Sequence, residues 1–241
     1  MMGVAVRTID RVDPDIVRAL AAQGTATVHE AQGRSGLMKP WMRAIVPGAS
    51  VGGTAVTALC APGDNWMLHV AIELMRPGDV LVVAATSDCT DGYFGDVLAE
   101  FVKSRGGVGA VLDTGVRDVA VLRAEGFPVW ARAVSAQGTV KESVGSANVP
   151  ILCGGVRVVP GDAVVGDDDG VVVVPRRDAA SVLDAAEARA HKEELMREKL
   201  RAGGNTLDLL GLRDKLVDRG LRYVDGPVDG RTGDLAQPDS S

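Results

Sequence analysis

A chain of 241 residues, 46% of them hydrophobic, is long enough to bury one substantial core, so we expect a single main domain. Its formal net charge of −6 argues against nucleic acid as a partner, because phosphate binding needs a basic surface. No apolar run reaches the roughly 18 to 20 residues of a membrane-spanning helix, and the first residues lack the blocks of a signal peptide, so we expect a cytoplasmic protein without membrane contacts.

Helical spacing of apolar residues alternates with short apolar runs along the chain, which is typical of an α/β protein. In chain order, the predicted elements are a helix at 13–23, a strand at 49–60, a helix at 63–75, a strand at 76–85, a helix at 95–106, a strand at 110–113, a helix at 119–126, a strand at 127–134, at least three short strands within 149–175, and a helix at about 178–202. We predict one domain over 1–215 and, because the remainder is polar and aperiodic, a disordered tail over 216–241.

Turn and capping residues set the limits of several elements. Asp13 before Pro14 predicts the start of the first helix, and Asp64 is the predicted N-cap of the second. The run Asp167–Asp169 precedes Gly170 between two valine-rich strands, so a hairpin turn is favoured there over a metal cluster.

Several common motifs are missing from the sequence. It holds no glycine-rich nucleotide fingerprint, no phosphate-binding loop and no Gly-x-Ser-x-Gly elbow, which argues against nucleotide binding and serine hydrolysis. The 3 cysteines form no Cys-x-x-Cys pair, so neither a disulfide framework nor a thiolate zinc site is indicated. The histidines, His29, His69 and His191, are far apart, and the apolar neighbours of His69 favour a core or interface residue.

Carboxylates, in contrast, gather where buried strands end. Asp88, Asp91 and Asp96 share a glycine-bearing loop after one strand, and Asp113 and Asp118 follow at the end of the next. Because the carboxyl ends of neighbouring parallel strands face one crevice, we expect these side chains to meet there, as oxygen ligands that suit Mg²⁺ or Mn²⁺. Turn formation is the alternative for Asp88 and Asp91, and helix capping is the alternative for Asp96.

Arg117 and Asp118 place opposite charges side by side where a strand gives way to a helix. A solvated helix start accounts for Asp118, because an acidic side chain is favoured near the positive end of the helix dipole. It accounts poorly for Arg117, because a cation there is unfavourable unless it has an anion to hold. An arginine fork is shaped to bind a carboxylate, so the pair is a candidate site.

Six stretches of the chain, taken together, resemble one enzyme family: TATVHEAQGRSGLM, GDNWMLHVAIELMRPGDVLVV, TSDCTDGYFGDVLAEF, GAVLDTGVRD, FPVWARAVSAQGTV and VVGDDDGVVVVP. Residues 20–212 resemble the 4-hydroxy-4-methyl-2-oxoglutarate / 4-carboxy-4-hydroxy-2-oxoadipate aldolases. These are divalent-metal class II pyruvate aldolases with the fold of the regulator of ribonuclease activity A. The resemblance implies an α/β fold, in a layered β/β/α swivelling-type domain with an extended C-terminal helix.

The resemblance also implies roles for residues of the candidate site. By it, Asp118 anchors the metal, largely through ordered water, and Arg117 contacts pyruvate and its enolate oxygen. Asp96 holds a metal-side water that acts in proton transfer, and the amides of Val97 and Leu98 bind the pyruvate carboxylate. Val97 stands where the family usually has leucine, which changes little because only the backbone amide is needed there.

A glutamate from the C-terminal helix of a neighbouring subunit completes the site in this family. Spacing aligns it with Glu193, with Glu194 adjacent and a solvated helix face as the alternative. The resemblance therefore implies a homotrimer or homohexamer with sites between subunits.

The implied substrate is a small oxo-acid. Breaking the carbon–carbon bond of 4-carboxy-4-hydroxy-2-oxoadipate or 4-hydroxy-4-methyl-2-oxoglutarate leaves a pyruvate enolate, whose charge a Mg²⁺ or Mn²⁺ ion stabilises as a Lewis acid. No Schiff-base lysine is then required, and Lys39, Lys103 and Lys141 lie in no convincing apolar pocket by sequence.

Two other functions fit parts of this sequence. Oxaloacetate decarboxylation uses the same machinery and is expected as a side activity. The alternative from another class is a binding protein of the ribonuclease-regulator type, which inhibits a partner without turnover. Such a regulator has no need to keep Asp96, Arg117 and Asp118 together, which favours the aldolase.

Overall fold

The computed structural model describes residues 3–224, in which helices and strands alternate. The helices are α1 (Pro14–Gln23), α2 (Thr25–Ala31), α3 (Trp66–Glu73), α4 (Asp96–Ser104), α5 (Val119–Ala124), α6 (Ala179–Arg201), α7 (Thr206–Leu209) and α8 (Arg213–Asp218). The strands are β1 (Arg43–Ala44), β2 (Val51–Cys60), β3 (Asp79–Ala85), β4 (Gly92–Phe94), β5 (Gly109–Val116), β6 (Val129–Val134), β7 (Ser146–Ala147), β8 (Ile151–Cys153), β9 (Val156–Val158), β10 (Ala163–Asp167) and β11 (Gly170–Val174). The chain divides into two compact units, the first ending at His191 and the second starting at Lys192, within α6.

The main sheet of the first unit has the strand order β1-β6-β5-β3-β2-β10-β11. The central strands β2, β3, β5 and β6 run parallel, and β4 pairs in parallel with the end of β5. Antiparallel strands lie at the two ends, with β1 on β6 and the β10–β11 hairpin on β2. The parallel strands therefore send their carboxyl ends toward one edge, where the loops before α4 and α5 begin.

The sheet is buried on both faces, which explains why its central strands are uninterrupted apolar runs. Leu81 and Val83 of β3 pack in a core with α3, α4 and α5. Val80 and Val82, on the opposite face, pack in a second core with the two-stranded β8–β9 sheet and Trp130. A helical layer, the main sheet and a small second sheet thus form the predicted β/β/α layers, and the predicted α/β class is confirmed.

Most predicted elements are confirmed in type and place, but some limits differ and some short elements were not predicted. The strand predicted over 110–113 continues to Val116, because β4 pairs with its end. The second predicted helix starts at Trp66 with Asn65 at the N-cap position, and the Asp64 carboxylate, predicted as the cap, accepts a hydrogen bond from the Trp66 amide at 2.8 Å. The short helix α2 was not predicted as an element, and its 7 residues are too few for a clear helical period.

The run Asp167–Asp169 forms the predicted hairpin turn between β10 and β11. The Asp167 carboxylate accepts hydrogen bonds from the Thr25 amide at 2.8 Å and from the Thr25 hydroxyl at 2.6 Å. Asp168 accepts one from the Gly48 amide at 2.9 Å. These carboxylates bind the backbone of the fold, as the turn interpretation expects.

Of the predicted tail, residues 225–241 lie outside the described residues, and α8 ends at Asp218. None of the helices within residues 3–224 combines the length and the apolar composition needed to span a bilayer.

Candidate functional site

Five of the residues singled out by the sequence line one pocket of about 200 Å³ in the first unit. Asp96, Val97 and Leu98 reach it from the first turn of α4. Arg117 and Asp118 reach it from the junction of β5 and α5. The pairing of β4 with β5 brings these two segments together, because α4 begins directly after β4.

Asp118 has an unusual backbone conformation for a residue that starts a helix. Its φ of 55° and ψ of 33° lie in the left-handed region, which costs a residue with a Cβ on the order of 1 to 2 kcal/mol. Its carboxylate accepts no hydrogen bond from the amides of α5, and its Oδ2 instead accepts one from Arg117 Nε at 3.2 Å. Capping of α5 therefore does not account for this side chain, and strain of this kind concentrates at functional sites.

The Arg117–Asp118 pair does little for the stability of the fold. The two side chains are 49% and 35% exposed, and an ion pair at such a position contributes about 0 to 1 kcal/mol. The backbone of Arg117 is held more firmly, since its amide donates to the Phe94 carbonyl at 2.9 Å. The backbone of Arg117 is thus fixed by β5 and Phe94, while the charge of its exposed guanidinium stays available to a ligand.

Gly95 allows the Asp118 carboxylate to lie against the chain just before α4. A Cβ built on Gly95 would overlap Asp118 Oδ2 and would lie 3.2 Å from Arg117 Cγ and from Asp118 Cγ. Gly95 has an extended backbone, with φ −152° and ψ −167°, so close approach rather than backbone conformation requires glycine here. Sequence reasoning missed this role, although the glycines of GYFGD were a signal for it.

Asp96 is the first residue of α4, and its Oδ1 accepts a hydrogen bond from the Val97 amide at 2.8 Å. The capping alternative for Asp96 therefore describes an interaction that is present. The amides of Val97 and Leu98 belong to the first turn of the helix, where amides have no acceptor within the helix and bind anions readily. A carboxylate bound there requires the Asp96 side chain to leave the Val97 amide.

Polar residues outside the predicted set also line the pocket, among them Asn65, His69, Thr139 and Lys141. Asn65 Nδ2 donates to the Tyr93 carbonyl at 2.8 Å. His69, which was expected to be a core or interface residue, is half-buried beside the pocket. Burial, together with the nearby charge of Lys141, lowers the pKa of His69, so its imidazole is neutral at neutral pH. No local sequence pattern marks Lys141 as a site residue.

The expectation that all five clustered aspartates meet in one crevice is wrong. Asp113 accepts a hydrogen bond from Arg132 Nε at 2.7 Å, and Asp88 accepts one from Arg132 Nη1 at 2.8 Å. Side chains alternate along a strand, so Asp113 lies on the same face of the sheet as Val111, which belongs to the second core. This is the face opposite to α4 and α5. Neither Asp88 nor Asp113 lines the pocket of Asp96 and Asp118, and Asp91 also lies outside its lining.

Glu193 and Glu194 lie on α6, in the second unit. Glu194 accepts hydrogen bonds from Arg197 at 3.1 Å and from Arg201 at 2.9 Å, and these two guanidinium groups lower the pKa of its carboxyl. Glu193 lies 3.5 Å from Arg197. The role that the resemblance implies for Glu193 stays a prediction.

Acidic, histidine and cysteine side chains within residues 3–224 form no cluster of three or more that could hold a metal ion. The pocket instead offers two carboxylates, Asp118 and Asp96, beside open space. This donor set suits Mg²⁺, which usually keeps several waters and takes one or two carboxylates plus oxygens of the substrate.

Comparisons with known proteins identify the family. The model of the RraA-like family, described as aldolase/RraA, matches residues 25–173. A protein of Halalkalibacterium halodurans with the provisional name 4-hydroxy-4-methyl-2-oxoglutarate aldolase is 39% identical over 142 residues, which are 59% of this chain and 68% of that protein. Streptomyces coelicolor RraAS2, an unusual member of the RNase ES inhibitor RraA family, is 34% identical with a TM-score of 0.70, over 79% of this chain and 99% of that one.

An uncharacterized protein from Pseudomonas syringae shares the fold, with a TM-score of 0.71 at 24% identity, over 82% of this chain and 97% of that one. The family resemblance and the fold inferred from sequence motifs are both confirmed. The chain belongs to the RraA-like aldolase/RraA family.

Proposed function

We propose that this protein is a divalent-metal-dependent aldolase that releases pyruvate from a 4-hydroxy-2-oxo acid. One observation carries the proposal: the Asp118 carboxylate is held beside Arg117 and close against Gly95, just before α4, in a strained conformation that capping does not explain. The provisional aldolase name of the relative from Halalkalibacterium halodurans supports it. The proposed substrates are 4-carboxy-4-hydroxy-2-oxoadipate and 4-hydroxy-4-methyl-2-oxoglutarate.

Asp118 and Asp96 are the side chains proposed to hold Mg²⁺ or Mn²⁺, with waters completing the coordination. Asp118 is the better direct ligand, because α5 makes no use of its carboxylate. A bound divalent cation supplies Lewis-acid stabilisation of the negative charge that develops on the pyruvyl oxygens.

The remaining roles follow from the pocket's own groups. The Val97 and Leu98 amides bind the pyruvyl carboxylate, once Asp96 has released the Val97 amide. The C4 hydroxyl gives its proton to a water held by Asp96, the C3–C4 bond breaks, and its electron pair passes to the pyruvate enolate while C4 becomes a carbonyl. Arg117 hydrogen-bonds the enolate oxygen as its charge grows, which is the kind of preorganised stabilisation that dominates in such sites.

The proposed assembly is a homotrimer or homohexamer in which Glu193 of a neighbouring subunit completes the site. A monomer offers Asp96 as the one carboxylate beside Asp118 in the described lining of the pocket. A second acidic group from a neighbour provides a further acceptor for metal-side water.

A second candidate is a regulator that binds a ribonuclease without turnover. The likeness to Streptomyces coelicolor RraAS2, at 34% identity over 99% of that chain, favours it. The aldolase is preferred because the strain and close packing at Gly95, Arg117 and Asp118 surround a pocket, which a flat docking surface does not require.

Pyruvate release from both proposed substrates tests the function, with the protein stripped by a chelator and then restored with Mg²⁺ or Mn²⁺. Release that disappears with the chelator and returns with the metal is the expected result. Full activity in exhaustively stripped, metal-analysed protein would contradict metal dependence, and no pyruvate under any condition would favour the regulator.

A further inference from the structure

A second pocket, of about 600 Å³, lies apart from the pocket of Asp96 and Asp118, and among the described residues the two share no lining residue. We call it the Trp41 pocket. Its lining includes Trp41, Leu59, Leu152, Asp88, Asp113 and Arg132. Aromatic and apolar walls with a few fixed polar groups, around a volume of this size, are typical of a site for a small molecule.

Arg132 and Asp113 form the fixed polar part of the Trp41 pocket. The Asp113 carboxylate accepts hydrogen bonds from Arg132 Nε at 2.7 Å, from Trp41 Nε1 at 3.2 Å and from the Gly154 amide at 2.8 Å. The Arg132 and Asp113 side chains are only 20% and 13% exposed. Because desolvation offsets most of the attraction in such an enclosed ion pair, the stability of the fold does not account for it. The proposed aldolase chemistry uses neither residue.

The Nη1 and Nη2 groups of Arg132 are available to a further carboxylate. Nη2 has no hydrogen-bond acceptor among residues 3–224, and Nη1 donates to Asp88 Oδ1 at 2.8 Å. The Asp88 side chain is 91% exposed, and within residues 3–224 Arg132 is its one hydrogen-bond partner. A pair with so exposed a partner is weak, so a ligand displaces Asp88 at little cost. The freed guanidinium edge then offers the fork that binds a carboxylate through two hydrogen bonds.

Trp41 and Leu152 give the same pocket an apolar surface. Their exposed fractions are 45% and 66%, which are large for side chains of this kind. Leu152 points away from the core because its neighbours in β8, Ile151 and Cys153, are buried in it. The guanidinium carbon of Arg132 lies 5.4 Å from the centroid of the Trp41 ring. An aromatic ring that packs on the indole therefore has a guanidinium within reach of its carboxylate.

We propose that the Trp41 pocket binds a small aromatic carboxylate, whose ring packs on Trp41 and Leu152 and whose carboxylate replaces Asp88 on Arg132. The exchange substitutes one negative charge for another, so Arg132 keeps two anionic partners throughout. Asp88 is in this account an internal competitor of the ligand. The site is separate from the pyruvyl site and does not depend on the proposed aldolase activity.

Benzoate is the probe for this site, and its affinity for the full chain is measured by ligand-observed NMR titration. Benzoate should bind the wild-type protein. Benzamide, which has the ring without the charge, and acetate, which has the charge without the ring, should each bind at least about 10-fold more weakly. Excess pyruvate should not displace benzoate, because the two pockets are separate.

Substitutions at the Trp41 pocket should change the affinity for benzoate in opposite directions. Arg132→Gln should weaken binding by at least about 10-fold, and Trp41→Ala by about 2- to 10-fold. Asp88→Ala removes the competitor and should tighten binding by about two- to fivefold, an increase that a merely structural role of Asp88 would not produce. Arg157→Gln is the matched control for Arg132→Gln, because Arg157 is exposed and outside the Trp41 pocket, and it should bind benzoate as the wild type does.

Asp88→Ala keeps the test decisive where Arg132→Gln fails to fold, because the Asp88 side chain is exposed. Three results would each overturn the proposal: no binding of benzoate to the wild type, equal affinity for benzamide, or displacement of benzoate by pyruvate. An Asp88→Ala variant with unchanged or weaker affinity would overturn it as well. None of these results bears on pyruvate release, so the aldolase proposal stands or fails separately.

Discussion

Gly95→Ala is expected to lower the activity of the site while leaving the stability of the fold almost unchanged. The added Cβ would overlap Asp118 Oδ2, so this carboxylate oxygen must move by roughly 1 Å to regain an ordinary contact distance. The movement breaks the 3.2 Å hydrogen bond from Arg117 Nε and displaces the group proposed to hold the metal. A displacement of about 1 Å at a catalytic group can cost about 100-fold in rate, and we expect a loss of that size in kcat.

Stability should respond far less to the same change. The Gly95 backbone is extended, a conformation that alanine adopts readily, and loss of the exposed Arg117–Asp118 pair costs about 0 to 1 kcal/mol. Tm should therefore shift by no more than about 4 °C. Gly138→Ala is the matched control, because its Cβ would come no closer than 3.8 Å to Arg117 Nη1. Steady-state pyruvate release and thermal unfolding of both variants decide the outcome, and wild-type kcat in Gly95→Ala would refute the close-approach argument.

The remaining predictions concern the metal, acid stability and assembly. Asp118→Ala should abolish turnover by weakening metal binding, whereas Arg117→Lys should keep its metal affinity and lose about 100- to 1000-fold in kcat. Equal changes in the metal affinity of both variants would contradict separate roles for the two residues. Burial raises the pKa of Asp64, but hydrogen bonds from the amides of Glu142, Trp66 and Ser143 outweigh burial and hold that pKa below the ordinary value. The stability that the ionised Asp64 contributes is therefore present above about pH 4 and is lost on acidification. Asp64→Asn should lower the free energy of unfolding by about 1 to 3 kcal/mol at pH 7 and flatten its decline between pH 5 and pH 3, and an unchanged pH profile in denaturant titrations would exclude this role. Sedimentation should give a trimer or hexamer at micromolar concentration, whereas a fully active monomer would rule out a site shared through Glu193.

Sequence patterns predicted the elements that local chemistry determines. The start of α1 follows from Asp13, whose carboxylate accepts a hydrogen bond from the Asp15 amide at 2.8 Å. The β10–β11 hairpin follows from the turn that ends at Gly170, and the strand β3 follows from its apolar run. In each case the residues that decide the structure are neighbours in the chain.

The structure differs from the sequence predictions where residues distant in the chain determine the contacts of a side chain. Asp64 lies one residue before the N-cap position of α3, where its Oδ1 accepts the Trp66 amide, and its Oδ2 binds the amides of Glu142 and Ser143, 78 and 79 residues away. Asp113 looked like a partner for Asp118 by position, but Arg132 binds it from the neighbouring strand. Lys141 reaches the pocket through a loop that no local pattern places there. The residues brought together around Asp96 and Asp118 were identified by family motifs, because spacing alone did not separate them from Asp88 and Asp113.

The most direct test of the central claim is methyl-proton exchange of pyruvate in D₂O, followed by NMR, because it detects enolate formation without a choice of aldol substrate. The account predicts exchange by the wild-type protein with Mg²⁺ or Mn²⁺, and none above background after chelation or in Asp118→Ala. An absence of exchange in metal-loaded wild type, or equal exchange in Asp118→Ala, would contradict it.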